Sequence, residues 1–335
     1  MTDKAADRPV TKVTLICTVF NEAETISAFI ESVYGMSVIP SEFIVVDGGS
    51  DDGTTRVLED FAARGNHGGT FRLIVAPDCN LRSSKGPIAK GRNIAVREAK
   101  SEIIACTDAG CLVDYRWLEE ITKPLLTDQT LDVVGGWYIP DARSFLERCI
   151  GLLFVLPPYA VDAEHFMPSS RSFAFRKRAW AAVGGYPELS FTGEDTKLVL
   201  ELRRKGFRIA FARDALVHWR MRPTLSSFLR MVRTYGLGDG SLSILPASGL
   251  KSAVKIAVPL TLLLLAVFFS AWFVVPLCLF WWLMPFRRRI GDAMSFSTLV
   301  KLPVLTFLQL AAEVAYLSGY IKGSFARVGP VTSQR

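Results

Sequence analysis

The strongest constraint on this chain is a set of apolar, β-branched runs that alternate with helical ones and end on acids. Phe43-Ile44-Val45-Val46 stops at Asp47 and opens the turn Gly48-Gly49-Ser50-Asp51-Asp52-Gly53. Ile103-Ile104-Ala105-Cys106-Thr107 stops at Asp108, and Glu194-Asp195 opens a helical run after Gly184-Gly185-Tyr186-Pro187. The spacing predicts strands over 13–19, 43–46, 71–76 and 102–107, with helices over 21–34, 54–64 and 88–100 between them. Such alternation builds βαβ units and a largely parallel sheet. In that architecture ligands bind outside the carboxyl ends of the strands. Acids gathered there suit a divalent cation, a nucleotide or proton abstraction.

After residue 110 the pattern loosens. Helices are expected over 114–126, 144–156, 176–183 and 194–205, and strands over 131–138, 172–175, 208–211 and 215–219. The soluble part is expected to end near the breaker cluster Pro246-Ala247-Ser248-Gly249. The expected organisation is a polar tail at 1–12, an α/β domain at 13–240, a linker at 241–253 and a membrane region at 254–335. The α/β domain is expected to divide near residue 110.

The 256–286 stretch holds no charged residue. As one helix it would run ~46 Å at 1.5 Å per residue, against a hydrocarbon core of ~30 Å. Lys251 and Lys255 precede it and Arg287-Arg288-Arg289 follows, so the positive-inside rule favours a hairpin turning at Ser270-Ala271. A second apolar segment, 302–321, reads as a further crossing or an in-plane helix. Residues 1–12 are polar, and no cleavable leader is expected. The net charge of +7 is concentrated: 201–233 holds nine Lys or Arg against Glu201 and Asp214. Before a membrane segment, that stripe suits anionic headgroups or a phosphate-bearing substrate. No nucleic-acid motif accompanies it, so no nucleic-acid partner is expected. The six cysteines show no metal-ligand spacing and read as small buried hydrophobes.

Each motif has a chemical and a structural reading. Asn21-Glu22 could meet a base or ribose, or cap a helix. The Asp47–Gly53 loop could approach a nucleotide, or simply turn and cap the next helix. It lacks both the dinucleotide fingerprint and the GxxxxGK[ST] phosphate loop. Arg92 could offset diphosphate charge or lie on a solvated face. Asp108 could hold Mg²⁺ with substrate phosphates, or cap the run after it. Asp195 could act as a general base, or favour a helix N-terminus as an acid. His218 could complete a metal shell, and Trp219 could stack on a sugar.

Taken together, these residues resemble glycosyltransferase family 2, the inverting nucleotide-sugar transferases of GT-A fold. The likeness rests on Val19-Phe20-Asn21-Glu22, Val45–Thr54, Gly91-Arg92-Asn93, Thr107-Asp108-Ala109-Gly110 and Gly193-Glu194-Asp195. It implies a hexosyltransferase with a mostly parallel, Rossmann-like sheet and C-terminal transmembrane helices. It also implies that the α/β domain has a nucleotide-binding half at 13–110 and an acceptor half at 111–240. It implies that Phe20, Glu22 and Asp47, with Gly49 and Ser50, hold the nucleoside, most often uridine. Arg92 and Asp108 would meet the diphosphate, and Asp108 with His218 would hold Mg²⁺ or Mn²⁺. Asp195, beside Glu194, would be the base, and Trp219, Arg220 and Arg171 would meet the acceptor. The family's second metal-site acid is replaced by Gly110, which leaves metal dependence open. The implied partners are a nucleotide sugar, a lipid-linked or glycan acceptor and membrane lipids. The implied place is the inner or plasma membrane, anchored by a hairpin or several passes, with the catalytic domain cytoplasmic. Two other readings remain: a membrane-anchored module that binds nucleotide sugars without turnover, and a sugar-phosphate nucleotidyltransferase.

Overall fold

The computed structural model describes residues 8–65, 68–244, 246–273, 275–276 and 296–326. The chain divides into two compact units, Met1–Ile139 with Val161–Arg220, and Pro140–Ala160 with Met221–Arg335. The division falls at 220 rather than at the expected 240, and it assigns 140–160 to the C-terminal unit.

The first unit is built on one sheet of order β3-β2-β1-β4-β7-β6-β8-β5. Its strands are β1 (Val10–Val19), β2 (Ile39–Asp47), β3 (Thr70–Val75), β4 (Ile103–Cys106), β5 (Cys111–Val113), β6 (Val133–Asp141), β7 (Phe173–Arg176) and β8 (Ile209–Arg220). β1 pairs in parallel with β2 and β4, and β2 with β3. β7 runs antiparallel to β4 and β6, and β5 antiparallel to β8. The parallel strands are apolar on successive residues: Val13, Leu15, Ile16 and Cys17 of β1 are fully buried. Strands covered on both faces need that pattern.

The covering helices are α1 (Ile26–Tyr34), α2 (Thr54–Arg64), α3 (Pro87–Glu98), α4 (Trp117–Thr127), α6 (Lys177–Ala182) and α7 (Glu194–Arg204). α1 buries Ile26, Phe29, Ile30 and Val33, the i, i+3, i+4, i+7 stripe of an amphipathic helix. α3 lies so near the sheet that a Cβ at Gly91 would stand 2.8 Å from the Thr18 methyl carbon. The register sets Val19 beside Asp47 and Ile16 beside Cys106. The carboxyl ends of β1, β2 and β4 therefore open on one edge, with β1 at the switch point.

Three local expectations change. The first helix begins at Ile26 rather than at 21, because Asn21 takes φ 56° and Glu22–Thr25 forms a turn. β5 was not anticipated; three residues give too short a pattern to read. β8 is continuous where two short strands were expected. The polar pair Arg213-Asp214 that mimicked a break is exposed within the strand.

The second unit is helical: α5 (Phe145–Phe154), α8 (Leu225–Leu242), α9 (Pro246–Phe268) and α10 (Phe296–Phe325). Capping boxes start two of them, Ser144 with Glu147 and Thr224 with Ser227. The expected linker at 241–253 is largely helix. α9 stops at Phe268, and a short 3₁₀ turn follows at Ala271–Phe273, where the hairpin turn was expected. The hairpin's second arm lies outside the described residues. The 302–321 segment falls inside α10. Ala247–Phe268 and Lys301–Phe325 are both long and apolar enough to cross a membrane. The cysteines at 17, 79, 106, 111 and 149 are free and buried, and burial pushes the Cys106 thiol up to about 12.

Candidate active site

The loop after β2 is closed upon itself. Asp47 is fully buried. Its Oδ1 accepts the Ser50 N–H at 3.1 Å and the Ser50 hydroxyl at 2.6 Å, and its Oδ2 accepts the Thr55 hydroxyl. Asp52 does the same one turn on, taking the Thr54 N–H at 3.0 Å, the Thr54 hydroxyl at 2.6 Å and the Ala23 N–H at 3.0 Å. Asn21 clasps the loop by donating to Asp51 at 2.8 Å and accepting its N–H at 3.0 Å. Asp47 was expected to meet the nucleoside; the structure commits both its oxygens to the turn and to the first turn of α2. No side chain replaces it at Gly48, where a Cβ would meet the Cys79 carbonyl oxygen at 2.5 Å. Gly49 takes φ 77°, which lets the loop pass against Pro77. Ser50 gives its hydroxyl to Asp47 and takes the Asn21 N–H at 2.9 Å. Phe20 and Glu22 remain partly exposed at this edge, and Glu22 accepts the Thr25 hydroxyl at 2.7 Å.

The second cluster joins three elements. Arg92 of α3 donates from Nη2 to Asp108 at 2.6 Å and from Nη1 to Glu194 at 2.6 Å. The guanidinium is buried, 5.4 Å from the Tyr186 ring centroid, and its Nε has no hydrogen-bond partner among the described residues. Arg92 was expected to offset a diphosphate; here its terminal nitrogens hold protein carboxylates. The next residue, Asn93, donates to the Tyr186 carbonyl at 2.8 Å and accepts the Tyr186 N–H at 2.9 Å. It fixes the turn that leads to α7. Burial first, and the charge of Asp195 second, push the Glu194 carboxyl up to about 7, while Arg92 counters them.

Asp195 stands in the first turn of α7, behind Gly193 at φ 85°. Its Oδ1 accepts the Thr196 N–H at 2.7 Å, and its Oδ2 accepts the Ser169 hydroxyl at 3.1 Å and the Ser170 N–H at 3.2 Å. Ser169 also accepts from Arg171 at 3.1 Å. The Arg171 guanidinium lies 4.2 Å from the Trp219 ring centroid and 5.5 Å from that of Tyr138. A continuous chain of contacts thus runs from Asp195 through Ser169 to an aromatic–cationic patch. Ser169, Ser170 and Tyr138 were missed in the sequence. The polar run Ser169-Ser170-Arg171 before β7 was the available signal.

The two residues expected to hold a metal lie on different elements, Asp108 after β4 and His218 on β8. Strand alternation puts His218 and Trp219 on opposite faces of β8, and the register sets His218 across from Leu112. The His218 Nε2 is 3.8 Å from Asp114. His218 was expected to share an ion with Asp108; its nearest carboxylate partner here is Asp114, and both side chains are partly exposed. Among the described residues no group of three or more His, Cys, Asp or Glu could hold a metal ion. Asp108 alone fits a cation held mainly by substrate phosphates. Its side chain is 34% exposed, Arg92 takes only Oδ1, and a Cβ at Gly110 would meet nothing within 4 Å. Arg220 ends β8 beside this turn, with its N–H 3.4 Å from the Gly110 carbonyl.

The chain is similar to known proteins in sequence and in fold. Residues 14–159 match the profile of glycosyl transferase family 2, and residues 103–308 that of glycosyl transferase family group 2. The glycosyltransferase AglE of Haloferax volcanii is 23% identical over 61% of this chain and 65% of its own length. The O-antigen chain rhamnosyltransferase RfbN of Salmonella typhimurium is 22% identical over 62% of this chain and 65% of its own. The chain thus spans just under two thirds of each of these relatives. In fold it is similar to a mannosyltransferase from Pyrobaculum calidifontis solved with GDP-mannose and Mn²⁺, at a TM-score of 0.58 and 17% identity, over 97% of this chain and 89% of that one. With a family profile covering more than half its length, and a GT-A sheet with its acids at the strand ends, the chain belongs to glycosyltransferase family 2.

Proposed function

We propose that this chain moves a hexosyl group, with inversion, from a nucleotide sugar to a hydroxyl or phosphate of a lipid-linked or glycan acceptor. The observation that carries this reading is the link Asp108–Arg92–Glu194, which ties the β4 end to the helix turn bearing Asp195. Asp195 takes the acceptor proton. The freed oxygen forms its bond to the anomeric carbon on one face while the bond to the diphosphate breaks on the other. Ser169 and the Ser170 N–H orient the Asp195 carboxylate. Arg92 acts as a positioning residue that holds Asp108 and α7 together. Asp108 would hold Mg²⁺ or Mn²⁺ with the donor phosphates, and the ion would supply charge stabilisation for the leaving diphosphate. The aromatic–cationic patch of Trp219, Tyr138 and Arg171, with Arg220 nearby, serves the acceptor.

Phe20 and Glu22 are the side chains left to meet the base. Uridine follows from the family resemblance, and the GDP-mannose of the Pyrobaculum protein makes guanosine the other base to test. Attachment to a membrane through α9 is supported by the length and apolar surface of that helix; an inner or plasma membrane, with the sheet-bearing unit cytoplasmic, follows from the family resemblance.

The test is turnover and donor binding with UDP- and GDP-sugars, with and without Mn²⁺, on a membrane lipid extract as acceptor. Asp195→Asn should lower turnover by about 10²–10⁴-fold and leave donor affinity near wild type. Near-normal turnover in that variant overturns the assignment of the base. Donor binding with no nucleotide release by the wild-type chain would favour a binding module.

A further inference from the structure

The two bilayer-length helices of the second unit present different surfaces. From 260 to 269 no residue of α9 or its end is buried. α10 is one-sided. Its large exposed apolar residues include Phe307, Val314 and Ile321, seven apart and so in one line along the helix. Leu305, Leu308 and Ala312 are buried.

α8 runs along α10 at backbone contact. A Cβ at Gly319 would lie 2.0 Å from the Arg233 carbonyl oxygen, and one at Gly323 would lie 2.2 Å from that of Leu237. Reciprocally, a Cβ at Gly236 would lie 2.1 Å from the Tyr316 oxygen, and one at Gly240 would lie 2.3 Å from that of Tyr320. The residue numbers rise together, so the two helices are parallel. The Tyr316 hydroxyl also donates to Asp239 at 2.6 Å. No larger side chain fits at these four glycines without parting the helices. The outer face of α8 is polar: Ser226, Arg230 and Arg233 are exposed, as is Arg222 just before the helix.

This pairing decides how α10 meets a bilayer. If α10 crossed, α8 would be carried in beside it, and Arg230 and Arg233 would face acyl chains, where ionised groups are strongly disfavoured. If α10 lies flat, its apolar line dips into the acyl boundary while the arginines of α8 stay among headgroups. We propose that α8 and α10 form one in-plane element seated on an anionic bilayer surface, and that of the two bilayer-length helices only α9 enters the hydrocarbon core. The inference rests on the membrane attachment proposed for α9 and is independent of the transfer chemistry.

The test is depth measurement on the full chain in phosphatidylcholine–phosphatidylglycerol vesicles. Single cysteines at Phe307, Val314, Ile321, Leu264 and Ser226, in a Cys278→Ser background, carry a fluorophore quenched by lipids labelled at known depths. The in-plane element requires the three α10 probes to share one shallow depth, about 5–10 Å below the headgroup boundary. The Leu264 probe should be deeper, and the Ser226 probe should stay open to an aqueous quencher. A crossing α10 would instead step by ~10 Å between successive probes, ~21 Å in all. That result, with Leu264 still deep, overturns the in-plane element and leaves the membrane attachment standing. No lipid quenching at Leu264 or at any α10 probe overturns both.

Discussion

Asp47 and Asp108 occupy equivalent places, each where a parallel strand of one sheet ends, and they do opposite things. Asp47 is sealed: fully buried, with its oxygens spent on Ser50 and Thr55. Asp108 is open: one oxygen goes to Arg92, and the side chain is 34% exposed beside the empty Cβ position of Gly110. The difference comes from the loop behind each acid. A serine three residues on and a threonine eight residues on turn back to Asp47. After Asp108 come Ala109 and Gly110, which have nothing to donate from a side chain. The loop behind each acid thus decides how much of its carboxylate is left open.

The largest effect that would break this contrast lies at the residue that serves the open acid. Arg92→Met strips a buried cation from two carboxylates. It should destabilise the first unit by about 3–5 kcal/mol, read by chemical denaturation. Arg92→Lys should restore part of that stability but not the double contact, since an ammonium cannot reproduce the planar fork. A neutral effect of Arg92→Met would show that the Asp108–Arg92–Glu194 link does not hold these elements together.

Next comes pH. The Glu194 carboxyl stands at about 7 in the fold against an ordinary 4.5. The folded chain holds that proton longer than the unfolded one. Its contribution is full below pH 4.5 and is lost as pH rises through 7. The difference corresponds to about 3 kcal/mol. Stability measured across that window should fall with rising pH in wild type and be flatter in Glu194→Gln. Equal slopes would show that the acid is already ionised.

A smaller effect belongs to the sealed acid. Asp47→Ala leaves the Ser50 and Thr55 donors without their acceptor and should cost about 1–3 kcal/mol. Donor affinity, measured where the variant is still folded, should stay within a few-fold of wild type. Asp108→Ala should do the reverse, weakening the donor more than the fold. If Asp47→Ala abolished donor binding in a folded protein, the contrast would fail.

The parallel half of the sheet was legible because each buried strand writes itself as a short apolar run, and α2 was read at its observed bounds, Thr54–Arg64. The acids at the strand ends were legible as a set, and so was the alternative that Asp47 merely builds its own turn. What could not be read depends on distant partners. Ser169 and Ser170 reach Asp195 across 26 and 25 residues. The place of His218 depends on the pairing of β8 with a three-residue strand. The helical unit recruits α5 through contacts with α10, so its limits appear in no local composition. The glycines at 236, 240, 319 and 323 were visible as residues, but their meaning lies in two helices touching.

The most direct measurement is a crystal structure of the chain with a nucleoside diphosphate and Mn²⁺. The β-phosphate should lie beside the free oxygen of Asp108, with Asp195 facing the same space and Asp47 still bound to Ser50 and Thr55. Asp47 swung out to the base, with the phosphates far from both Asp108 and Asp195, would contradict the division between a sealed and an open acid.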